Sequence, residues 1–182
     1  MMVLCAQCHH LCTVGAITEA EQREMKAAPK NVTDGRIQGE LFVTTPDLTV
    51  DIGGTVAINS PNLLTVAGQV LLKAERDARG RILISAMLFD RAGQLVAALR
   101  RNEWHAVVPA LWDVEVYPRR GILRERQNEI WFDVDCRGDQ VKIRGRWNIG
   151  SQPFVIRDTA IEFGSFHVQG NVVRDVKSVF WV

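Results

Sequence analysis

The chain has 182 residues, of which 47% are hydrophobic and 24% are charged, a balance typical of a soluble globular protein with a sizeable core. The formal net charge is +1, so any contact with nucleic acid must depend on a local basic patch. No apolar run of about 18 residues predicts a membrane span, and residues 1–17 lack the Lys or Arg of a secretory leader. Three of the four cysteines are clustered, which does not predict a disulfide framework and favours a reducing, cytoplasmic setting.

The first predicted element is a helix over roughly residues 18–28. Thr18-Glu19-Ala20-Glu21 has the form of a capping box, in which the Thr hydroxyl and the Glu carboxylate satisfy free backbone N–H groups. Pro29 predicts the end of the helix. We divide the chain into an N-terminal segment over 1–30, a connector over 31–47 and a β-rich domain over 48–182.

The periodicity after Glu40 is that of short β-branched strands broken by Gly and Pro. Asp77-Ala78-Arg79-Gly80 recurs as Asp90-Arg91-Ala92-Gly93, and both copies predict hairpin tips. The predicted fold is mainly β, an antiparallel meander forming a sandwich or stacked sheet, with a short α-helical N-terminal segment. The predicted strands are 41–44, 48–52, 55–58, 69–75, 81–89, 94–99, 104–108, 111–117, 129–135, 140–147, 154–157, 160–163, 166–169 and 176–181.

The densest group of metal-ligating residue types is the segment Leu4-Cys5-Ala6-Gln7-Cys8-His9-His10-Leu11-Cys12. Cys5, Cys8 and His9 can present two thiolates and an imidazole to one metal ion, and Cys12 is a fourth ligand candidate. On this interpretation the segment binds zinc or another divalent metal; the alternative is that it binds none.

The Cys-x-x-Cys-His pattern followed by Gly15 resembles the distal half of an HNH-type nuclease module. The resemblance implies that Cys5 and Cys8 form one half of a structural zinc site and that His9 helps to bind the catalytic metal. The family's first cysteine pair, its water-activating histidine and its asparagine belong upstream of this segment. We therefore expect an HNH-endonuclease-like protein that does not cleave DNA in the form of this chain.

A second interpretation of the same segment, which we favour for this chain, involves no metal. If residues 4–15 are helical, the positions Leu4, Cys5, Cys8, Leu11 and Cys12 share one face, where reduced cysteine packs as a small apolar residue. The matching alternative for function is a non-enzymatic β-rich module for oligomerisation or ligand sensing.

Two further clusters carry candidate sites. Trp104, Trp112, Asp113 and Glu115 indicate either a ligand pocket with stacking indoles or a turn at 101–102 with both indoles in the core, and we favour the core. The basic cluster is either a DNA-binding patch or a solvated face balanced by acidic residues, and we favour the solvated face. Its candidate nucleic-acid-binding residues are Arg119, Arg120, Arg124 and Arg126.

The C-terminal run Val179-Phe180-Trp181-Val182 is apolar and is not followed by a charged tail. Short strands leave edges that proteins usually cover, so we expect a homo-oligomer, the alternative being a monomer that buries this strand in its own core.

Overall fold

The computed structural model describes residues 12–27, 48–106, 113–117, 119–126 and 129–182. Helix α1 covers Glu19–Ala27. Its capping box is confirmed, because Thr18 N donates to Glu21 Oε2 over 2.7 Å and Glu21 N donates to Thr18 Oγ1 over 3.3 Å. The predicted strand over 41–44 lies outside the described residues. Within the described residues, no helix is long and apolar enough to cross a bilayer.

From Thr49 onward the described elements are all β-strands, so the mainly β fold with one short helix is confirmed. The strands, in chain order, are β1 Thr49–Ile52, β2 Thr55–Ile58, β3 Asn62–Val66, β4 Gln69–Arg76, β5 Ile82–Phe89, β6 Leu95–Arg100, β7 Glu103–Ala106, β8 Asp113–Tyr117, β9 Arg120–Arg126, β10 Glu129–Asp135, β11 Val141–Ile149, β12 Gln152–Ile156, β13 Ile161–Phe163, β14 Phe166–Val168, β15 Val172–Arg174 and β16 Ser178–Trp181.

The strands form two sheets. The large sheet has the order β14-β13-β12-β11-β1-β2-β15, with β10, β9 and β8 continuing in turn from the other edge of β11. The small sheet has the order β16-β3-β4-β5-β6-β7. Both sheets contribute to one hydrophobic core, and their inner faces pack against each other as a sandwich.

The predicted meander describes β3–β7 and β8–β14, where consecutive strands pair antiparallel. Three pairings are parallel instead: β1 with β11, β15 with β2, and β16 with β3. These pairings join strands that are far apart in sequence. The strands β3, β9 and β15 were not among the predicted strands.

Both predicted hairpin tips are confirmed. Gly80 N donates to the carbonyl of Asp77 over 3.0 Å, and Gly93 N donates to the carbonyl of Asp90 over 3.1 Å. Both glycines have positive φ angles, of 78° and 76°, the left-handed conformation that closes such a turn.

Strand β11 is the branch point of the large sheet. One of its edges pairs with β10, while the other pairs with β1 as far as Ile143 and with β12 from Gly145 onward. Arg144 lies where β1 and β12 separate. Its guanidinium contacts Asp51 of β1 at 3.2 Å and Asp158, which follows β12, at 2.8 Å.

A row of aromatic rings runs through the core from the small sheet into the large one. Trp104 of β7 contacts Phe132 of β10 edge-to-face with the ring centroids 6.1 Å apart, and Trp147 and Phe154 continue the row. Gly121 of β9 lies against the Trp104 indole, because a Cβ at this position would be 2.6 Å from Trp104 Cζ2. This contact fixes which face of β9 points inward.

Candidate arginine site on the large sheet

The outward face of β9 is basic. Leu123 is fully buried and Gly121 lies against the core, so the alternating residues Arg120, Ile122 and Arg124 point to the outer face of the large sheet. The sequence Arg120-Gly121-Ile122-Leu123-Arg124 thus alternates between guanidinium groups on one side and core contacts on the other.

This face forms a cavity of about 580 Å³, here called the arginine cavity. Strand β8 pairs with β9 so that Tyr117 lies opposite Arg120 and Glu115 lies opposite Ile122. Its lining residues are Glu115, Tyr117, Arg119, Arg120, Ile122, Arg124 and Arg137. The cavity therefore combines four guanidinium groups, one carboxylate, one phenol and an apolar floor.

Carboxylates hold three of these guanidinium groups. Arg120 is bidentate to Asp133, with contacts of 3.0 and 2.8 Å, and Arg137 Nε donates to Asp135 over 2.9 Å. These hydrogen bonds raise the pKa of both arginines, so their charge is retained. Arg124 Nε contacts Glu115 at 3.4 Å.

Arg119 is held differently. Its Nε donates to the backbone carbonyl of Cys136 over 2.9 Å, and its side chain is exposed. Within the described residues, Arg119 has no carboxylate partner, so its positive charge is not neutralised by an ion pair.

A guanidinium has five N–H donors, and a bidentate pair with a carboxylate uses two of them. Each paired arginine of the cavity is thus held in place and keeps donors for a further ligand. Planar donor groups that are fixed before binding suit the oxygen atoms of phosphate and carboxylate groups. The half-exposed ring of Tyr117, at 51% relative accessibility, offers a flat surface beside them.

Three of the four arginines that the sequence singles out thus surround one cavity, and they remain candidates for nucleic-acid binding. Arg126 lies at the end of β9, and its side chain is not among the described parts of the structure. Tyr117 and Arg137 were not predicted. The signal for Arg137 was its position in a turn directly after β10, one strand away from the basic cluster.

A second concavity, of about 700 Å³, lies on the same face across β10, β11 and β12. Arg144, Arg146 and Arg157 contribute cations to it, and Ile130 and Val155 contribute apolar surface. Asp133 lines this concavity and also binds Arg120, so the two concavities are neighbours. Within the described residues, Lys142 and Arg146 have no ion-pair partner.

Two of the residues predicted as a ligand pocket, Trp104 and Glu115, do not share one site. Trp104 is 1% exposed and packs in the core, which agrees with the interpretation that we favoured, and Glu115 lies at the arginine cavity on the outer face of the large sheet. The predicted turn is confirmed, because Arg101 and Asn102 have φ angles of 50° and 72° between paired β6 and β7. Trp112 and the side chain of Asp113 lie outside the described residues.

The predicted metal ligands Cys5, Cys8 and His9 also lie outside the described residues. Residues 12 and 13 have a helical backbone, and Cys12 is a half-buried free thiol. In the part of the chain that the structure describes, no three His, Cys, Asp or Glu side chains are grouped to hold a metal ion. Burial raises the pKa of Cys136 to about 12, so this thiol stays protonated at neutral pH.

Neighbouring residues of the C-terminal strand β16 differ in burial. Phe180 is 9% exposed and joins the core, while Trp181 is 71% exposed at the edge of the small sheet. The chain therefore buries part of its apolar end by itself and leaves one indole in solvent.

Comparison with protein-family models, with curated proteins and with solved structures finds no match.

Proposed function

We propose that the β-sandwich is a non-catalytic binding module that holds the phosphate groups of nucleic acid in the arginine cavity. The observation that supports this most is the convergence of Arg119, Arg120, Arg124 and Arg137 around one concave site. Arginine is the side chain best suited to phosphate, because its fixed fork of donors matches two phosphate oxygens. The ion pairs with Asp133 and Asp135 hold two of the forks before the ligand arrives.

The proposal gives the N-terminal segment a related role. The resemblance of Cys5, Cys8 and His9 to an HNH-type half-module suggests a nuclease-like protein, in which zinc or another divalent metal is held by that segment and the sandwich contacts the DNA backbone. This chain is expected not to cleave DNA, because His9 alone would hold a catalytic metal ion poorly. Cleavage of plasmid by the purified chain, lost on His9→Ala, would contradict that expectation.

The test of phosphate binding uses fluorescence anisotropy with labelled oligonucleotides. Arg119→Gln and Arg137→Gln remove exposed cations from the cavity, and each should weaken binding about 10-fold, or ~1.4 kcal/mol. The matched controls Arg79→Gln and Arg91→Gln remove exposed cations from the hairpin tips of the small sheet and should leave binding unchanged. Equal effects of the cavity and control substitutions would reject the arginine cavity as the site.

A second candidate function is self-association, which the exposure of Trp181 on an edge strand favours. Deleting residues 180–182 would also remove Phe180 from the core, so Trp181→Ser is the cleaner variant. If the chain oligomerises through this edge, light scattering at micromolar concentration should show an oligomer for the natural chain and a monomer for Trp181→Ser. A monomer in both cases would reject self-association.

A further inference from the structure

The outer face of the large sheet has little net charge for a surface that binds nucleic acid. Most of its cations are paired with carboxylates, which are Asp51, Glu115, Asp133, Asp135, Asp158 and Glu162. Within the described residues, the cations of this face and its rim that have no ion-pair partner are Arg119, Lys142, Arg146 and Arg174. Duplex binding depends mainly on phosphate neutralisation. A face with few uncompensated cations therefore needs another source of affinity.

Tyr117 supplies that source. Its ring is half exposed at the rim of the arginine cavity, and its hydroxyl donates to Glu115 Oε2 over 3.3 Å. Glu115 also contacts Arg124, so ring, carboxylate and guanidinium form one connected group. Stacking on an aromatic side chain contributes to the binding of unpaired bases, whereas a duplex keeps the faces of its bases covered.

The two concavities give the direction of a bound strand. Asp133 separates them, and the pairing places Ile122, Asp133 and Arg144 side by side on β9, β10 and β11. Neighbouring strands are ~4.8 Å apart, so the distance from Tyr117 on β8 to the β12 side of the second concavity is ~19 Å. At ~3.4 Å per stacked nucleotide this width accommodates about 5 or 6 nucleotides. That length lies within the range of known single-strand sites, about 4–16 nucleotides.

We infer that the outer face of the large sheet binds single-stranded nucleic acid across the strands, with a base stacked on Tyr117 and the backbone passing from the arginine cavity to Arg146. The inference rests on the proposed phosphate site and adds the class of nucleic acid and its path. Ile130 and Val155 provide apolar contacts for bases and sugars along this path.

The experiment compares fluorescein-labelled dT12 with a labelled 12-base-pair duplex, using anisotropy on the full chain. The dT12 strand should bind at least 10-fold more tightly than the duplex. Tyr117→Leu should weaken dT12 binding about 10-fold and leave duplex binding unchanged, while Tyr117→Phe, which keeps the ring, should stay within about 3-fold of the natural chain. Arg146→Gln should weaken dT12 binding about 5-fold.

Equal or tighter binding of the duplex, or unchanged dT12 binding in Tyr117→Leu, would overturn the single-strand inference. Unchanged dT12 binding in Arg146→Gln would overturn the path across β11. These failures are separable from failure of the phosphate site. If Arg119→Gln weakens binding of both nucleic acids equally and Tyr117→Leu weakens neither, the phosphate site stands and the stacking does not.

Discussion

Asn102 should be one of the most sensitive polar positions in the small sheet. Strand β6 ends at Arg100, so the start of β5 has no β6 residues opposite it. The backbone N–H and carbonyl groups on this edge of β5 therefore need other hydrogen-bond partners. The Asn102 side chain supplies them: its Oδ1 accepts from Ile84 N over 2.7 Å, and its Nδ2 donates to Ile82 O over 2.8 Å. Asn102 is 4% exposed, so water does not readily replace these bonds. Asn102→Ala is therefore expected to destabilise the sandwich.

The expected cost has two parts. Leaving a buried donor and a buried acceptor of β5 unpaired costs ~1–3 kcal/mol each. The backbone φ of Asn102 is 72°, and alanine in this left-handed conformation costs ~1 kcal/mol more. Asn102→Ala should thus lower the free energy of unfolding by ~4 kcal/mol. Asn102→Gly loses the same hydrogen bonds without the strain and should cost ~1 kcal/mol less.

Urea unfolding followed by tryptophan fluorescence measures this difference. With a slope of ~2 kcal/mol per molar urea, ~4 kcal/mol corresponds to a midpoint lower by about 2 M. Arg101→Ala is the matched control, because Arg101 also has a positive φ, of 50°, but its side chain is 62% exposed. The control midpoint should fall by no more than about 0.5 M, because Arg and Ala carry the same left-handed strain and only the exposed ion pair with Glu75 is lost. An Asn102→Ala shift no larger than the control shift would refute the reasoning.

Two further stability predictions concern the large sheet. Gly121→Ala places a Cβ 2.6 Å from Trp104 Cζ2 and should lower the free energy of unfolding by ~1–3 kcal/mol through overpacking. The control Gly138→Ala adds a Cβ with no neighbour within 4 Å and should lower it far less. Similar urea midpoints for the two variants would contradict this. Hydrogen bonds from Arg137 hold the pKa of Asp135 at about 2, below its ordinary 3.8, so this carboxylate stabilises the fold above pH ~4 and loses that contribution as the pH falls through about 2. Between those pH values the natural chain should lose ~2 kcal/mol more stability than Asp135→Asn in urea titrations, and parallel losses would contradict the assignment.

Local features of the fold could be predicted because short segments determine them. The capping box at Thr18 needs only a hydroxyl and a carboxylate at the right spacing, and the two Asp-x-x-Gly tips need only a turn acceptor and a glycine. The preference for Trp104 in the core also follows from its size and apolar character. In each case the interaction lies within a few residues or depends on one side chain.

Strand β9 was missed because its residues are typical of other structures. Arginine at alternate positions indicates a solvated stretch, and Gly121 indicates a turn, since glycine weakens strands. In the structure this glycine is required for a different reason, because the Trp104 indole occupies the space of its side chain. That contact joins residues on two sheets and is not visible in a local sequence pattern.

The candidate site depends on the same non-local pairing. Tyr117 lies beside Arg120 only because β8 pairs with β9, and Asp133 reaches Arg120 only because β10 pairs on the other side. The parallel pairing of β15 with β2 likewise joins segments more than a hundred residues apart, as in Val172 with Val56. Sequence periodicity indicates which residues alternate along a strand, but it does not indicate which strands become neighbours.

The salt dependence of dT12 binding by the natural chain tests the central claim most directly. Arg119, Lys142 and Arg146 lie at β9 and β11 beside the proposed path and have no ion-pair partner within the described residues, so they would release about three counterions from a single strand. Each phosphate contact on a single strand contributes about −0.7 to the slope of log K against log salt, where K is the binding constant. The slope should therefore be about −2, and Arg119→Gln should make it shallower by about 0.7. Absence of dT12 binding at low salt, or a slope that Arg119→Gln leaves unchanged, would contradict the account.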